Sequence, residues 1–241
     1  MRRGLAILAL AACGARHHHR DDEFAYTWTD QRVLCSQGAD DYKHPDMRDI
    51  VDHQLALARD HGWVALLHVH TPGLTVSTEM LEHVLGQAEA DGLATLTYRD
   101  LDPGQPHRAG VALSFDDDAP ERWFEVRDLL ARHHAHVTFF ACCWASFSQA
   151  QRDDLVQLAR DGNDVEPHGA QHVHAVDYAA QHGVAAYVTD EVQPSIDAIA
   201  HAGMPPARVY AYPWGEHDDA IDAAVLAHVE LVRATRGHCP R

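Results

Sequence analysis

Four short segments carry side chains whose types and spacing suit chemistry. Ser114-Phe115 runs straight into three carboxylates, Asp116, Asp117 and Asp118. Adjacent like charges are costly unless they are solvated, cap a helix or bind a cation. Asp164-Val165-Glu166-Pro167 leads into His168 and then His172, a spacing that points both imidazoles one way if the segment turns helically. Tyr210-Ala211-Tyr212 ends in the turn-forming Pro213-Trp214-Gly215, and an apolar run through Leu66 and Leu67 ends in His68 and His70, which share a face because strand side chains alternate. Each segment alone has an ordinary structural use. Together they suit metal-assisted hydrolysis. One carboxylate and two neutral imidazoles give three ligands for zinc or a similar ion and leave a position for water. A second carboxylate can take the proton of that water, whose pKa the ion lowers toward about 7. Backbone N–H groups at a strained turn can hold an oxyanion, and a further histidine can protonate a leaving amine.

These residues need strand ends to bring them together, and the chain supplies them. Met47, Ile50, Val51, Leu55 and Ala58 recur at helical spacing and stop at His61-Gly62, after which residues 63–70 read as a strand. Ser77 is a candidate N-cap for the helix carrying Met80, Leu81, Val84, Leu85 and Ala88, followed by strand-like residues 94–98. Further strands are expected at 110–115, 136–140, 164–166, 208–212 and 229–232, with helices near 120–133, 149–161, 184–202 and 217–227. Seven strands counted from Val64, most separated by a helix, predict a parallel α/β domain. An open doubly wound sheet and a closed barrel both fit, and in either the C-terminal strand ends collect the chemistry. Residues 26–41 are ambiguous, an added strand or an edge segment.

Composition narrows the function classes. The 241-residue chain has 36 Asp and Glu against 19 Lys and Arg, a formal charge of −17, which argues against nucleic acid as a partner. No apolar run approaches the roughly 18 residues of a membrane span. The 21 histidines exceed what one site can use, so most serve the surface or packing. Five cysteines without Cys-x-x-Cys spacing rule out a zinc ribbon.

The motifs resemble those of the NodB-homology polysaccharide deacetylases, carbohydrate esterase family 4. Ser114-Phe115-Asp116-Asp117 is similar to that family's Thr-Phe-Asp-Asp, Val137-Thr138-Phe139-Phe140 to its following strand, His168-Gly169-Ala170-Gln171-His172 to its His-x-x-x-His, and Tyr212-Pro213-Trp214-Gly215 to its Pro-aromatic-Gly turn. The resemblance covers about residues 45–235 and implies a distorted (β/α)7 barrel. It implies Asp116 as general base, Asp117, His168 and His172 as ligands of a divalent metal, zinc ahead of nickel or cobalt, and the Trp214 N–H in the oxyanion hole. The family's Leu-x-His motif has no counterpart near the C-terminus. Leu66-Leu67-His68-Val69-His70 resembles its place in the circularly permuted branch, ahead of the Asp pair. The general acid is then His70 or His68: Leu66-Leu67-His68 fits the literal motif, and the adjoining Thr71-Pro72-Gly73 turn favours His70. Two departures stand out. Ala211 occupies the place where many members carry an Arg that pairs with the base, and Asp118 replaces the usual Gly.

The N-terminus reads as an address. Arg2 and Arg3, an apolar stretch and Cys13 follow the order of a secretory signal, and Leu10-Ala11-Ala12-Cys13 resembles a bacterial lipobox. This implies a signal peptide over 1–12, a lipidated Cys13 and tether within 13–41, and a single barrel domain over 42–241, exported and in contact with a membrane only through its acyl chains. Export permits a disulfide, for which Cys35 and Cys239 near the chain ends are the one suggested pair; Cys142 and Cys143 read as buried. The expected activity is removal of N-acetyl groups from an amino-sugar polysaccharide. The competing readings are an O-acetyl esterase, a glycan-binding envelope protein without turnover, and a histidine-rich metal buffer. Oligomeric state is not legible.

Overall fold

The computed structural model describes residues 22–42 and 44–239. Its strands are β1 (Ala25–Tyr26), β2 (Val33–Gly38), β3 (Val64–Val69), β4 (Ala94–Thr95), β5 (Gly110–Asp117), β6 (Thr138–Ala141), β7 (Asp164–Pro167), β8 (Val209–Ala211) and β9 (Leu231–Thr235). The helices are α1 (Met47–His61), α2 (Thr78–Ala90), α3 (Pro120–Glu125), α4 (Arg127–Arg132), α5 (Gln149–Arg160), α6 (Ala175–His182), α7 (Val184–Tyr187), α8 (Gln193–His201) and α9 (Asp219–Val225). α1 buries Met47, Val51, Leu55 and Ala58 and ends at Gly62, whose left-handed backbone (φ 73°) returns its N–H to the Ala58 carbonyl. The Ser77 hydroxyl caps α2 by accepting the Met80 N–H at 3.0 Å.

The strand order is β7-β6-β5-β3-β2-β9-β8, and every neighbouring pair on that path is parallel. The path curls round until β7 and β8 lie side by side, giving a nearly closed, distorted (β/α)7 barrel rather than an open sheet. Alternation along the strands makes two cores. Leu67, Val69, Leu113, Phe115, Phe139 and Val165 pack outward under the helices, while Leu34, Leu66, Ala112, Phe140, Val209, Ala211 and Leu231 fill the interior. Between β7 and β8 no ladder forms, and a side chain bridges the gap. Glu166 Oε2 accepts the N–H groups of Arg208 (2.9 Å) and Val209 (3.2 Å), and Oε1 accepts from Arg99 at 2.7 Å.

The expected number of staves is right, but their membership differs. β4 is a short strand paired with β5 off the barrel path, and β2, from the ambiguous leading segment, takes its place between β3 and β9. Residues 94–98 do not continue as a strand because the chain turns at Tyr98–Asp100, where Thr97 and Asp100 close a capping box. The region expected as one helix near 120–133 is two short ones, and α6 was not anticipated.

Cys35 on β2 is joined to Cys239, with Cα atoms 5.3 Å apart across a sequence separation of 204. The bridge ties the strand that enters the barrel to the segment that leaves it. Cys239→Ser is expected to lower the unfolding free energy by about 2–5 kcal/mol in urea titrations. Reductant should produce the same loss in the wild-type protein and none in the variant.

Candidate active site

The barrel interior becomes polar toward the C-terminal strand ends. Continuing the inward-facing positions upward from the apolar layer brings Ser36 on β2, His68 on β3, Ser114 and Asp116 on β5 and Arg233 on β9 into one buried set. Asp117 should face the helices by strict alternation. Its left-handed backbone (φ 89°) ends the alternation, so both carboxylates serve the same mouth.

Asp117 meets the two histidines that follow β7. Its Oδ1 lies 3.5 Å from His168 Nε2 and 3.1 Å from His172 Nε2. His168 Nδ1 donates to the Ala211 carbonyl at 2.9 Å, which fixes the tautomer and leaves Nε2 as a lone-pair donor. His172 Nε2 is buried and, its 3.1 Å approach to Asp117 included, makes no well-aligned hydrogen bond among the described residues. Burial works against ionisation of Asp117, yet the His168 and His172 contacts hold its carboxyl far below the usual range. Three converging ligand atoms within 4.8 Å, one of them without a well-aligned hydrogen bond, fit a divalent metal of the borderline type that N and O donors favour. Asp118 is exposed and outside the group, and it does not cap α3.

Asp116 has a different partner. It is 2% exposed, and its Oδ2 accepts from Arg233 Nη2 at 2.5 Å. Burial raises its pKa, but the Arg233 charge outweighs that and keeps it below the ordinary carboxylate value. Arg233 is fully buried and also lies over the Phe140 ring at 5.0 Å. It is the β-ladder partner of Ala211. The guanidinium expected at residue 211 is therefore supplied from the same level of the barrel, one strand over.

His68 and His70 separate cleanly. The His68 ring is buried with Nδ1 2.9 Å from the Ser36 hydroxyl, and burial lowers its pKa to about 4. His70 follows the end of β3, with its side chain 33% exposed. Its N–H donates to Asp40 Oδ1 at 3.1 Å, its Nδ1 bonds Asp40 Oδ2, and its carbonyl accepts from Trp123 at 2.9 Å. Although burial opposes it, the Asp40 hydrogen bond, helped by Asp116, raises the His70 pKa to about 9. One nitrogen each of His68 and His70 lies within 4.8 Å of an Asp116 oxygen. That group fits a second cation poorly because Arg233 already neutralises Asp116.

Trp214 sits in the turn Pro213–Gly215 with φ 62° and ψ 0°, an uncommon conformation for a non-glycine residue. Its Nε1 donates to the His172 carbonyl at 3.3 Å, and the His174 ring stacks on it with centroids 4.7 Å apart. Gly215 (φ 72°) is required here, since a Cβ would meet the Thr235 backbone nitrogen at 2.6 Å.

The structure thus places Asp116, Asp117, His168, His172, His70, His68 and Trp214 around one barrel mouth, while Cys13 lies outside the described residues. Two residues escaped the sequence reading. Arg233 was legible only as a lone charge in an apolar strand, a pattern that demands a buried counter-charge. Asp40 follows β2, the strand left ambiguous.

A sequence model of the polysaccharide deacetylase family matches residues 104–231. Among curated proteins, none matches the chain significantly. Similar solved structures include the deacetylase PplD of Streptococcus pyogenes in complex with acetate (17% identity, TM-score 0.55, covering 70% of this chain and 81% of that one). Others are IcaB of Ammonifex degensii (16%, 0.56, 73% and 86%) and a de-N-acetylase of Aggregatibacter actinomycetemcomitans (14%, 0.58, 69% and 85%). At these identities the likeness is one of fold.

Arg233→Ala strands a buried carboxylate and is expected to destabilise the protein by about 3–5 kcal/mol at pH 7. Without the guanidinium, burial raises the Asp116 pKa above its unfolded value, so the deficit should shrink as pH falls and Asp116 is neutralised. A deficit independent of pH in denaturation curves would contradict this assignment.

Proposed function

The chain belongs to the polysaccharide deacetylase family, and from that premise we propose that it removes N-acetyl groups from an amino-sugar polysaccharide with the help of a divalent ion, zinc by preference. The observation that carries this reading is the division of labour between adjacent carboxylates, Asp117 toward two imidazoles and Asp116 toward a guanidinium. Asp117, His168 and His172 would hold the ion, which when bound supplies positive charge for the acetyl carbonyl and acidifies a water.

Asp116, kept ionised by Arg233, accepts the proton of the attacking water. The Trp214 backbone N–H stabilises the oxyanion. His70, held protonated by Asp40, delivers a proton to the departing amine; His68 is neutral at the same pH and serves to position. This assigns β3 the part that the resemblance gives to the leading segment of the permuted branch. The large exposed hydrophobic side chains among the described residues, Tyr42, Leu74, Val176 and Trp214, all follow C-terminal strand ends. Of these, Tyr42 and Trp214 offer aromatic faces on which sugar rings can stack.

We also propose export with lipidation at Cys13. The Cys35–Cys239 disulfide supports an oxidising compartment.

Acetate release from N-acetylated amino-sugar oligomers tests the activity. Release should require zinc, stop with a chelator, and fall by about 10²–10⁴ in Asp116→Asn. Release from O-acetylated glycans alone would redirect the reading to an esterase; metal binding with no release from either would sink it.

The acid role predicts a pH profile. Because His70 must be protonated, kcat/KM should fall as pH rises through about 9. Asp40→Asn should move that limb toward about 6.5. A limb unmoved by Asp40→Asn would remove His70 from the role.

A further inference from the structure

The segment 168–172 carries two ligands in an unusual backbone path. Gly169 has φ 87° and His172 φ 60°, and a non-glycine residue stays left-handed only where its surroundings over-determine it. His168 is anchored through its ring to the Ala211 carbonyl. The orientation of His172 depends on the path of the segment itself.

Glu191 lies against that path. Its Oε2 accepts the Gln171 N–H at 2.9 Å, and its main-chain carbonyl accepts the Ala170 N–H at 3.1 Å. The side chain is wholly buried, and Oε1 has no hydrogen-bond partner among the described residues. Burial of this carboxylate is offset chiefly by the N–H groups of the loop, those of Gln171, Ala170 and His172, and an apolar residue of similar volume would serve packing without that cost. Its approach also constrains the sequence opposite: a Cβ on residue 169 would stand 2.9 Å from Glu191 Oε2 and 3.1 Å from Pro213 Cγ. Only glycine lets the carboxylate reach the loop.

The helical register changes where it lies. Glu191 belongs to a π-helical turn, Val188–Val192, between α7 and α8. Pro194, two residues beyond that turn, has no N–H to donate to a residue four back, and extra-residue turns of this kind re-aim side chains. Thr189 and Asp190 remain exposed, whereas Glu191 and Val192 turn inward.

We propose that Glu191 is a positioning residue for the metal centre, holding two successive backbone N–H groups so that His172 converges with His168 on Asp117. The inference rests on the reading of Asp117, His168 and His172 as metal ligands.

The test is zinc affinity of the full chain by chelator competition, with the visible spectrum of the cobalt form as a readout of geometry and thermal unfolding as a check on folding. Glu191→Gln keeps an acceptor for the Gln171 N–H and should bind zinc within about threefold of wild type. Glu191→Asp keeps the charge but withdraws the acceptor by one methylene, and Glu191→Ala removes it. Both should bind about 10–100-fold more weakly, with an altered cobalt spectrum. If Glu191→Ala does not fold, the Gln and Asp variants carry the comparison. Wild-type affinity in Glu191→Asp, or a loss in Glu191→Gln as large as in Glu191→Asp, overturns the inference. Asp117→Ala is the control: if the wild-type protein binds no zinc, or its zinc survives Asp117→Ala, the metal-centre reading itself fails. Those outcomes are distinguishable from failure at Glu191 alone.

Discussion

The site depends on keeping one carboxylate charged inside a barrel. Withdrawing Asp116 from water carries an effective penalty of several kcal/mol, so a counter-charge has to reach it through the interior. Arg233 does so at 2.5 Å. That contact joins β5 to β9, which are not ladder neighbours, and it exists only because β3 and β2 lie between them at the right curvature. The β2–β9 ladder and the Cys35–Cys239 bridge therefore support the electrostatics of the mouth as well as the fold.

Next to this pair, the chain solves a packing problem created by its own motif. Consecutive residues of a strand point to opposite faces, yet Asp116 and Asp117 both serve the mouth. The left-handed turn at Asp117 breaks the alternation where β5 ends. The two carboxylates then receive opposite treatment: a permanent cation inside for Asp116, and two imidazoles outside for Asp117. Like charges on adjacent residues are tolerable because each has a separate partner.

The seam of the barrel is where the loops of the site meet. β7 and β8 lack a ladder and are bridged low down by Glu166. Above that bridge, the loop carrying His168 and His172 leaves β7 and the turn carrying Trp214 leaves β8, with Trp214 Nε1 bonded to the His172 carbonyl. That hydrogen bond joins the two loops across the seam.

Much of this was legible along the chain. The Asp pair, the His-x-x-x-His spacing and the Pro-Trp-Gly turn are local patterns whose chemistry follows from residue type, and helical and strand periodicity located most of the elements that carry them. Local pattern thus reached the class of fold and the residues that converge at the barrel mouth. It could not determine which strands close the barrel. β2 was ambiguous by itself, and β4 looked like a stave until a capped turn ended it. Ala211 read alone suggested a missing charge, and only the β8–β9 register puts Arg233 in its place. The pairings of Asp40 with His70 and of Glu191 with the Gln171 N–H span 30 and 20 residues respectively. Such choices belong to the tertiary structure because hydrogen bonds and ion pairs act through space: periodicity records which way a side chain faces but not what waits on the other side.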